Sequence, residues 1–577
     1  MDRNENSPSS DGGPLFQAFA VKTTRGRARQ KLDRAISDVL GTGWHAETYG
    51  GRSHQYEVFA EEGALTAQDA WDRTYQLRAH AGIASAEPLF KAWVTDRPDW
   101  GVGVSPGDDV AAFGLPGWVC GSGKDFDKAK VHEWSLHMAN VTQAWTNHFS
   151  NPGAGPGEGV IVGHPDTGYR SHPEIAVNLL LSKGFDLFRN DNDPQDELKD
   201  RFPWQTPGHG TATGSVIVSP RGAADGNPQN SVSGTAPHAK LVPFRVSDTV
   251  VVLDTVNLAR AIELATDQGA HVISISMGGL SSDRLHDAVV YATSRGVIVL
   301  AAAGNCVRFV VFPAAYDEVV AVAACDAERE PWKGSSRGSA VDITAPGDRV
   351  WHATANKNDA LDTVGQGSGT SYAVATVAGI AALWLAKHGR STIIQACGGK
   401  ERIASTFLQL LRATATPVPG WPSGQFGGGL VNADALLSAG LPNGRTVPTL
   451  APTAREHVAV ARGGLPTFGH LFESAVRTES RARPSLAVAA DSGQPSGLDG
   501  ALADLLNTTA DKVPTDLGQV GQELAFYLAT DPDLYRQFES VVSRAMPDGN
   551  LNAVRERLLT GGVSPALEVK LSAPSRN

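Results

Sequence analysis

A chain of 577 residues exceeds what one hydrophobic core normally supports, so two to four domains are expected. Its 41% hydrophobic and 19% charged residues are an ordinary composition for a soluble globular protein. The formal charge of −11 argues against a nucleic-acid partner, because phosphate binding relies on clustered lysine and arginine. No uninterrupted apolar run approaches the roughly 18 residues that span a bilayer, so no membrane association is expected.

The first residues, 1–13, are polar, and we expect them to be disordered. They lack the basic start and apolar core of a signal peptide, which favours a cytoplasmic location. The four cysteines are too few and too scattered for a disulfide framework, and none forms a CxxC pair. They are Cys120, Cys306, Cys325 and Cys397.

Residues 14–94 predict a small α+β domain with the order β-α-β-β-α-β. FQAFAVK alternates as a strand, and RQKLDRAISDVL is an amphipathic helix that ends at Gly41. WHAETYG and QYEVFA are two further strands. Thr66, with Asp69 three residues later, opens a second helix, and IASAEPLF is the last strand. Gly, Pro and Asp then accumulate over residues 95–125, which predicts a linker or a processing region.

Residues 126–440 change to short apolar runs that alternate with helical stretches. Continuous apolar runs of strand length indicate strands that are buried on both faces. They are GVIVG, KLVPFRV, HVISISM, GVIVLAAAG and VVAVAAC. Strands separated by helices predict an α/β domain with a doubly wound, mostly parallel sheet, and functional residues are expected just beyond the carboxyl ends of its strands.

The remaining chain divides into a linker and a helical module. Residues 441–497 are rich in Pro, Ala, Ser and Arg without clear periodicity, which is typical of a partly disordered linker. Residues 498–577 contain three or four helical patterns. This C-terminal module has two interpretations, recruitment of a protein partner or a stabilising appendage, and its place after a long linker favours the first.

Four polar residues in the α/β domain together supply the groups of one catalytic site. Asp166 follows the run GVIVGHP, His209 opens a predicted helix between two glycines, and Asn305 ends a buried strand. Ser371 stands on a glycine-rich approach, GQGSGT, at the start of an apolar helix. Each residue alone fits a turn or a helix cap, but together they supply a nucleophile, a base, a carboxylate and an amide donor.

The chemistry requires each of these residue types. A serine hydroxyl is a poor nucleophile at neutral pH, so an imidazole must accept its proton. A buried carboxylate holds that imidazole in the right tautomer and stabilises its charged form. The oxyanion that forms needs donors already in place, which a side-chain amide and a backbone N–H at a helix start can supply.

These segments resemble the subtilisin-like serine proteases, the subtilases. The resemblance is carried by DTG at Asp166, GHGT at His209, AAGN at Asn305 and GTS at Ser371, in family order. It extends over residues 126–440 through NDNDPQD, GTAPHAKLVPFRV, SMGG and GGGLVNADALL. It implies that Asp166 orients His209, that His209 acts as base and then acid, that Ser371 attacks, and that Asn305 stabilises the oxyanion.

The resemblance also implies two walls of the pocket for the substrate residue that precedes the scissile bond. Small residues there predict a roomy, apolar pocket with no selection for Arg or Lys. The wall residues are Ser276, Met277, Gly278 and Gly279 on one side, and Ala301, Ala302, Ala303 and Gly304 on the other.

Several positions depart from the usual family pattern. Tyr372 stands where Met is common and Ala375 where Pro is common, and neither casts doubt on catalysis. His164, two residues before Asp166, is interpreted as structural or as tuning the local field. Cys306 and Cys325 are interpreted as buried and inert, with a redox-sensitive pair as the alternative.

An acidic cluster precedes the His209 segment. It comprises Asp186, Asp191, Asp193, Asp196 and Glu197. Subtilases often bind calcium through oxygen-rich loops, but the spacing here matches no defined calcium loop. A solvated acidic loop is therefore favoured over a calcium site, and neither a metal site nor a required cofactor is predicted.

The N-terminal domain resembles the subtilase propeptide, an intramolecular inhibitor and folding chaperone. The leading hypothesis is a serine endopeptidase held latent as a zymogen by residues 14–94 and acting on protein or peptide substrates. A ligase or macrocyclase uses the same acyl-enzyme and is one alternative. A catalytically silent regulatory protein is the other, and the intact Asp166, His209, Asn305 and Ser371 argue against it.

Overall fold

The computed structural model describes most of the chain between residues 16 and 442, together with 551–572 and separate positions between 504 and 538. The described ranges before residue 443 are 16–24, 26–48, 54–60, 63–90, 127–150, 155–198, 206–220, 231–252, 255–279, 281–305, 310–355, 363–422 and 424–442. The described residues form two compact units. Residues 16–90 group with 505–507 and 551–572 in the first unit. The described residues from 127 to 442 belong to the second unit.

The N-terminal part of the first unit is a four-stranded antiparallel sheet with two helices. Its elements are β1 (Phe16–Thr23), α1 (Ala28–Ala35), β2 (Trp44–Thr48), β3 (Gln55–Ala60), α2 (Ala67–Ala79) and β4 (Ile83–Phe90). The strand order is β2-β3-β1-β4. The predicted cap is confirmed, since the Thr66 side chain accepts a hydrogen bond from the backbone N–H of Asp69.

Two C-terminal helices, α13 (Leu551–Thr560) and α14 (Pro565–Ser572), complete this unit. Helix α14 contacts α2 of the N-terminal sheet domain. Its Leu567 and Leu571 are buried, whereas Val569 on its other face is 69% exposed. The side-chain amide of Asn507 donates to the carbonyl oxygens of Lys570 and Leu571, at 3.0 Å each, and so binds the last turn of α14.

The second unit contains a seven-stranded parallel sheet with helices on both sides. Its strands are β5 (Ile161–Asp166), β6 (Phe185–Asp186), β7 (Lys240–Arg245), β9 (Val272–Ile275), β11 (Ile298–Ala302), β12 (Val320–Cys325) and β13 (Ile343–Pro346). Two short pairs are separate from it: β8 (Val251–Val252) with β10 (Gly278–Gly279), and β14 (Val350–Thr354) with β15 (Thr363–Gly367). The helices are α3 (Trp134–Met138), α4 (Val141–His148), α5 (Pro173–Ala176), α6 (His209–Val218), α7 (Val256–Asp267), α8 (Asp283–Ser294), α9 (Thr370–His388), α10 (Arg390–Cys397), α11 (Ile403–Ala413) and α12 (Ala433–Ser438).

The strand order β13-β12-β11-β9-β5-β7-β6 confirms the predicted α/β architecture and locates the site. After β5 the chain passes to the edge strand β6 and then to β7, which lies between β6 and β5; from β9 onward it builds the other side of the sheet. The order therefore reverses between β5 and β9, and their carboxyl ends leave a crevice where α/β sheets bind ligands. Asp166 ends β5, and Ser276 directly follows β9.

Helix α9 is the central core helix of this unit. It is the one helix in the described part of the chain that is long and apolar enough to cross a membrane, with a mean hydropathy of 1.3. Its apolar window is 89% buried inside the protein, where it packs against β9, β11, β12 and β13. The apolar character of α9 therefore reflects burial within the domain core, which extends from α4 to α12 around it.

Candidate active site

Asp166 and His209 form a hydrogen-bonded pair at the carboxyl edge of the sheet. The Nδ1 atom of His209 lies 2.7 Å from Oδ1 of Asp166, which also accepts from the backbone N–H of Thr167 at 2.8 Å. Asp166 is fully buried, while the His209 side chain is 13% exposed. Burial alone would raise the pKa of Asp166, but the charge and hydrogen bond of His209 outweigh it and hold the pKa below its ordinary value.

A glycine places His209 at the start of α6. Gly208 adopts φ 75°, in the left-handed region that favours glycine. A Cβ at this position would lie 2.1 Å from the carbonyl oxygen of Ala355, so no other residue fits without moving the backbone. The sequence predicts that His209 opens a helix, and the structure confirms it.

Ser371 occupies the first turn of α9, where the helix N-terminus favours negative charge. Its side chain is nearly buried, at 3% exposure. Its hydroxyl donates to the carbonyl oxygen of Ser276 at 3.1 Å rather than to His209. The Ser276 hydroxyl in turn donates to the Ser371 carbonyl oxygen at 3.1 Å, which ties the nucleophile to the segment after β9.

Asn305 is held with its amide nitrogen toward the nucleophile. Its Oδ1 accepts from both the backbone N–H and the hydroxyl of Thr370, at 2.9 Å each. The Nδ2 group therefore points away from Thr370 and faces Gly369, where a Cβ would lie only 3.4 Å from it. The Asn305 amide nitrogen therefore lies beside Gly369, two residues before Ser371 at the start of α9.

Replacing Asn305 with alanine is expected to lower kcat by about 10²- to 10³-fold, because one preorganised oxyanion donor is lost. Steady-state kinetics on a peptide substrate measure this change. Asn178→Ala is the matched control, since the Asn178 amide is also buried and donates to the carbonyl oxygens of Val218 and Pro237, away from the site. Its Tm should fall while kcat stays unchanged. A wild-type kcat in Asn305→Ala would remove this amide from the mechanism.

The eight predicted pocket residues lie in two buried segments, Ser276–Gly279 and Ala301–Gly304. A third segment, residues 310–312, runs between them. Phe312 exchanges backbone hydrogen bonds with Gly279, and the backbone N–H of Val311 donates to the Ala303 carbonyl oxygen. The Val311 side chain meets both glycines: a Cβ on Gly278 would be 2.5 Å from it, and one on Gly304 3.1 Å. Val311 therefore lies against both predicted pocket walls.

Tyr372, the residue directly after Ser371, packs against His352 of β14. Their rings stack with centroids 4.8 Å apart, and the Tyr372 hydroxyl lies 3.2 Å from Nε2 of His352. Burial lowers the pKa of His352 to about 4 and raises that of Tyr372. Both groups are therefore neutral near neutral pH. The Tyr residue that departs from the family pattern thus has a specific partner, which the sequence did not indicate.

The acidic cluster is held by protein groups rather than arranged as an oxygen shell for calcium. Arg245 lies 2.9 Å from Asp186 in a fully buried ion pair and also approaches Glu197 at 3.6 Å. Asp196 accepts from Thr167 and from the backbone of Leu198 and Gly208. No group of three His, Cys, Asp or Glu side chains suited to a metal ion occurs among the described residues.

The redox-sensitive pair considered above would join Cys306 and Cys325. Cys306 lies outside the described residues. Cys325 ends β12, is completely buried and carries no disulfide. Burial raises the pKa of its thiol, which disfavours the reactive thiolate.

Comparison with known proteins matches the region that contains Asp166, His209 and Ser371. A model of the subtilase family matches residues 157–427. Thermitase of Thermoactinomyces vulgaris is 36% identical over 238 residues, which are 41% of this chain and 77% of thermitase. Subtilisin Savinase of Lederbergia lenta is 31% identical over 281 residues, covering 48% of this chain and 91% of that protein. A thermophilic serine proteinase of Bacillus sp. strain AK1 is 36% identical over 232 residues, covering 40% of this chain and 52% of the relative.

The solved structures support the fold. The crystal structure of fervidolysin from Fervidobacterium pennivorans, described as a keratinolytic enzyme related to subtilisin, aligns with a TM-score of 0.53. The alignment covers 75% of this chain and 63% of fervidolysin, at 23% identity. At this identity the likeness concerns the architecture alone.

Proposed function

Because this chain belongs to the subtilase family of serine endopeptidases, we propose that it hydrolyses peptide bonds through an acyl-enzyme on Ser371. The observation that carries the assignment of roles is the 2.7 Å hydrogen bond between His209 and Asp166. It fixes Nδ1 of His209 as the donor and leaves Nε2 as the base. The Ser371 hydroxyl must leave the Ser276 carbonyl oxygen and hydrogen-bond to Nε2 before it attacks.

The reaction divides into acylation and deacylation. Oγ of Ser371 attacks the substrate carbonyl carbon while its proton moves to Nε2 of His209. The resulting oxyanion accepts hydrogen bonds from Nδ2 of Asn305 and the backbone N–H of Ser371. The C–N bond then breaks as His209 gives its proton to the leaving amine. Water then attacks the acyl-enzyme ester with His209 as its base, which releases the second product and regenerates the Ser371 hydroxyl.

Labelling and product analysis test this proposal. A fluorophosphonate probe should label the full-length chain at Ser371 and should not label Ser371→Ala. Products of a peptide substrate, incubated with an added amine, should gain the mass of water. Products that gain the amine would instead establish acyl transfer. Absence of both labelling and substrate cleavage in a chain already cut between residues 93 and 124 would contradict the endopeptidase assignment.

Val311 between the pocket walls favours substrates with a small apolar residue before the scissile bond. Val311→Gly should raise kcat/KM for a phenylalanine at that position relative to alanine by about 10-fold or more, because removing methyl groups opens apolar volume. Paired peptide substrates measure the ratio. Val322→Ala, a truncation at a buried position of β12, is the control and should leave the ratio unchanged. An unchanged ratio in Val311→Gly would exclude Val311 from the pocket.

The N-terminal sheet domain is proposed to hold the enzyme latent. Its β-α-β-β-α-β order and antiparallel sheet are those expected of a subtilase propeptide. Cleavage of the chain between residues 93 and 124, which lie outside the described residues, would separate it from the catalytic domain. Intact mass spectrometry should find this cleavage in the wild-type chain and not in Ser371→Ala. Cleavage in both would require another protease, and an uncleaved wild-type chain that is fully active would exclude latency.

The C-terminal helices are proposed to retain the N-terminal domain after cleavage. Helix α14 contacts α2, and Gly562, just before it, lies close to Gln68 of α2. Leu567→Asp, which puts a charge on the buried face of α14, should release the N-terminal fragment during gel filtration of the cleaved protein. Val569→Asp changes the exposed face of the same helix and should retain the fragment. Equal retention in both variants would show that α14 does not hold the domain.

A further inference from the structure

A second histidine lies behind the Asp166–His209 pair. His164 precedes Asp166 by two residues in β5, so alternation along the strand directs both side chains to the same face. His164 is buried, with 1% exposure. Its Nε2 atom lies 3.7 Å from Oδ2 of Asp166 and 3.1 Å from the hydroxyl oxygen of Thr213.

Thr213 connects this histidine to the carboxylate. It lies on α6 one turn after His209 and is completely buried. Its single hydroxyl proton has three acceptors in reach: the His209 carbonyl oxygen at 3.0 Å, Nε2 of His164 at 3.1 Å and Oδ2 of Asp166 at 3.3 Å. The other carboxylate oxygen, Oδ1, already accepts from His209 and Thr167. Thr213 is thus the hydroxyl donor within reach of Oδ2.

The tautomer of His164 determines where the Thr213 proton goes. If Nε2 lacks a proton, it competes with Oδ2 for that hydrogen. If Nε2 carries the proton, it donates to the Thr213 oxygen and leaves the hydroxyl proton for two oxygen acceptors. Oδ2 of Asp166 carries charge whereas the His209 carbonyl oxygen does not, so the carboxylate is the stronger acceptor. The negative carboxylate at 3.7 Å favours the second arrangement, because the N–H dipole then presents its positive end to Asp166. Burial lowers the pKa of His164 and keeps the ring neutral.

We propose that His164 and Thr213 are positioning residues, in which His164 donates from Nε2 to the Thr213 oxygen and so directs the Thr213 hydroxyl to Oδ2 of Asp166. The carboxylate is then bound at both oxygens. Oδ1 accepts from His209, and Oδ2 accepts from the Thr213 hydroxyl on α6. Because the carboxylate cannot rotate, the His209 imidazole keeps its orientation. This inference rests on the proposed function, since it concerns how the triad is aligned.

The arrangement predicts a direction for the pH dependence. Asp196 accepts from the Thr167 hydroxyl and the Gly208 backbone N–H, next to Asp166 and His209 in the chain. Besides these three groups, the titratable side chains in the described part of the chain that face this network are His352 on β14 and Tyr372 on α9. Both are neutral near neutral pH. When the Thr213 hydroxyl is removed, Asp166 loses a donor and becomes a stronger base. A more basic carboxylate stabilises the His209 imidazolium, so the general base becomes protonated at a higher pH.

The test compares kcat/KM against pH for the full-length chain and its variants. Thr213→Val keeps the shape and removes the hydroxyl, so the acid limb should move to higher pH by about one unit. The same variant should lower kcat by about 10-fold through looser alignment. Thr213→Ser should restore both values. His164→Leu should move the limb in the same direction, and His164→Gln, which can still donate, should move it less.

Thr211→Val is the matched control. Thr211 is also fully buried on α6, but its hydroxyl oxygen accepts from the backbone of Arg170 rather than contacting the triad. This variant should lower Tm and leave the acid limb unchanged. If Thr213→Val is unstable, the two His164 variants decide the question. A wild-type acid limb in folded Thr213→Val or His164→Leu overturns the positioning role. A wild-type chain that has been cut between residues 93 and 124 and shows neither labelling nor hydrolysis contradicts the proposed function instead.

Discussion

Ser371→Ala is expected to lower kcat by about 10⁶-fold, because a serine triad without its nucleophile retains only binding and oxyanion stabilisation. The substitution removes one oxygen atom from a side chain that is 3% exposed. The hydroxyl bonds the Ser276 carbonyl oxygen, so the cost to stability should be about 1 kcal/mol. Active-site titration with the fluorophosphonate probe, steady-state kinetics and a melting curve measure the three quantities.

Ser368→Ala is a suitable control for this experiment. Ser368 stands just before α9 and donates to Asp348 rather than facing the site. Its kcat should match that of the wild type. Substantial hydrolysis by Ser371→Ala, after exclusion of contaminating protease, would refute the acyl-enzyme on this residue.

Asp166→Ala should lower kcat by about 10⁴-fold, because His209 loses both the group that orients it and the charge that stabilises its imidazolium. KM should change little, since no substrate contact is removed. The hydrogen bond that disappears is the 2.7 Å contact between Nδ1 of His209 and Oδ1 of Asp166. Steady-state kinetics measure both parameters.

Asp342→Ala separates this effect from the loss of a buried charge in general. Asp342 is as completely buried as Asp166 but pairs with Arg412 and accepts from the backbone of Ala321, away from the triad. It should destabilise the protein and leave kcat of the folded fraction near the wild-type value. A similar loss of kcat in both variants would mean that Asp166 acts through folding and not through His209.

The candidate catalytic residues could be predicted because their signals are local. Continuous apolar runs mark strands that are buried on both faces, and a polar residue directly after such a run lies at the edge of the sheet. Asp166 at the end of β5 follows this rule, whereas His209 is marked by the glycines on both sides of it and by the helix that it opens. The Thr66 cap is also encoded within a few residues of chain.

Two features of the site had no local signal. Val311 belongs to an apolar run, and only its approach to Gly278 and Gly304 reveals a pocket role. Thr370 reads as part of the GTS motif, but its contribution is to lock the Asn305 amide from 65 residues away. Such contacts depend on which elements pack together, and propensity and periodicity do not specify that.

The sequence alone determined the chemistry of this protein: the residue types of a serine triad, the order in which they occur, and the strand and helix termini that carry them. Local backbone preference and burial are written in neighbouring residues, so these features can be recognised without a structure. The tertiary structure decided which atoms meet. The strand order brought β5 beside β9, α6 brought Thr213 between His164 and Asp166, and α14 came to rest on α2. These contacts join residues far apart in the chain, and they form only when the whole core packs at once.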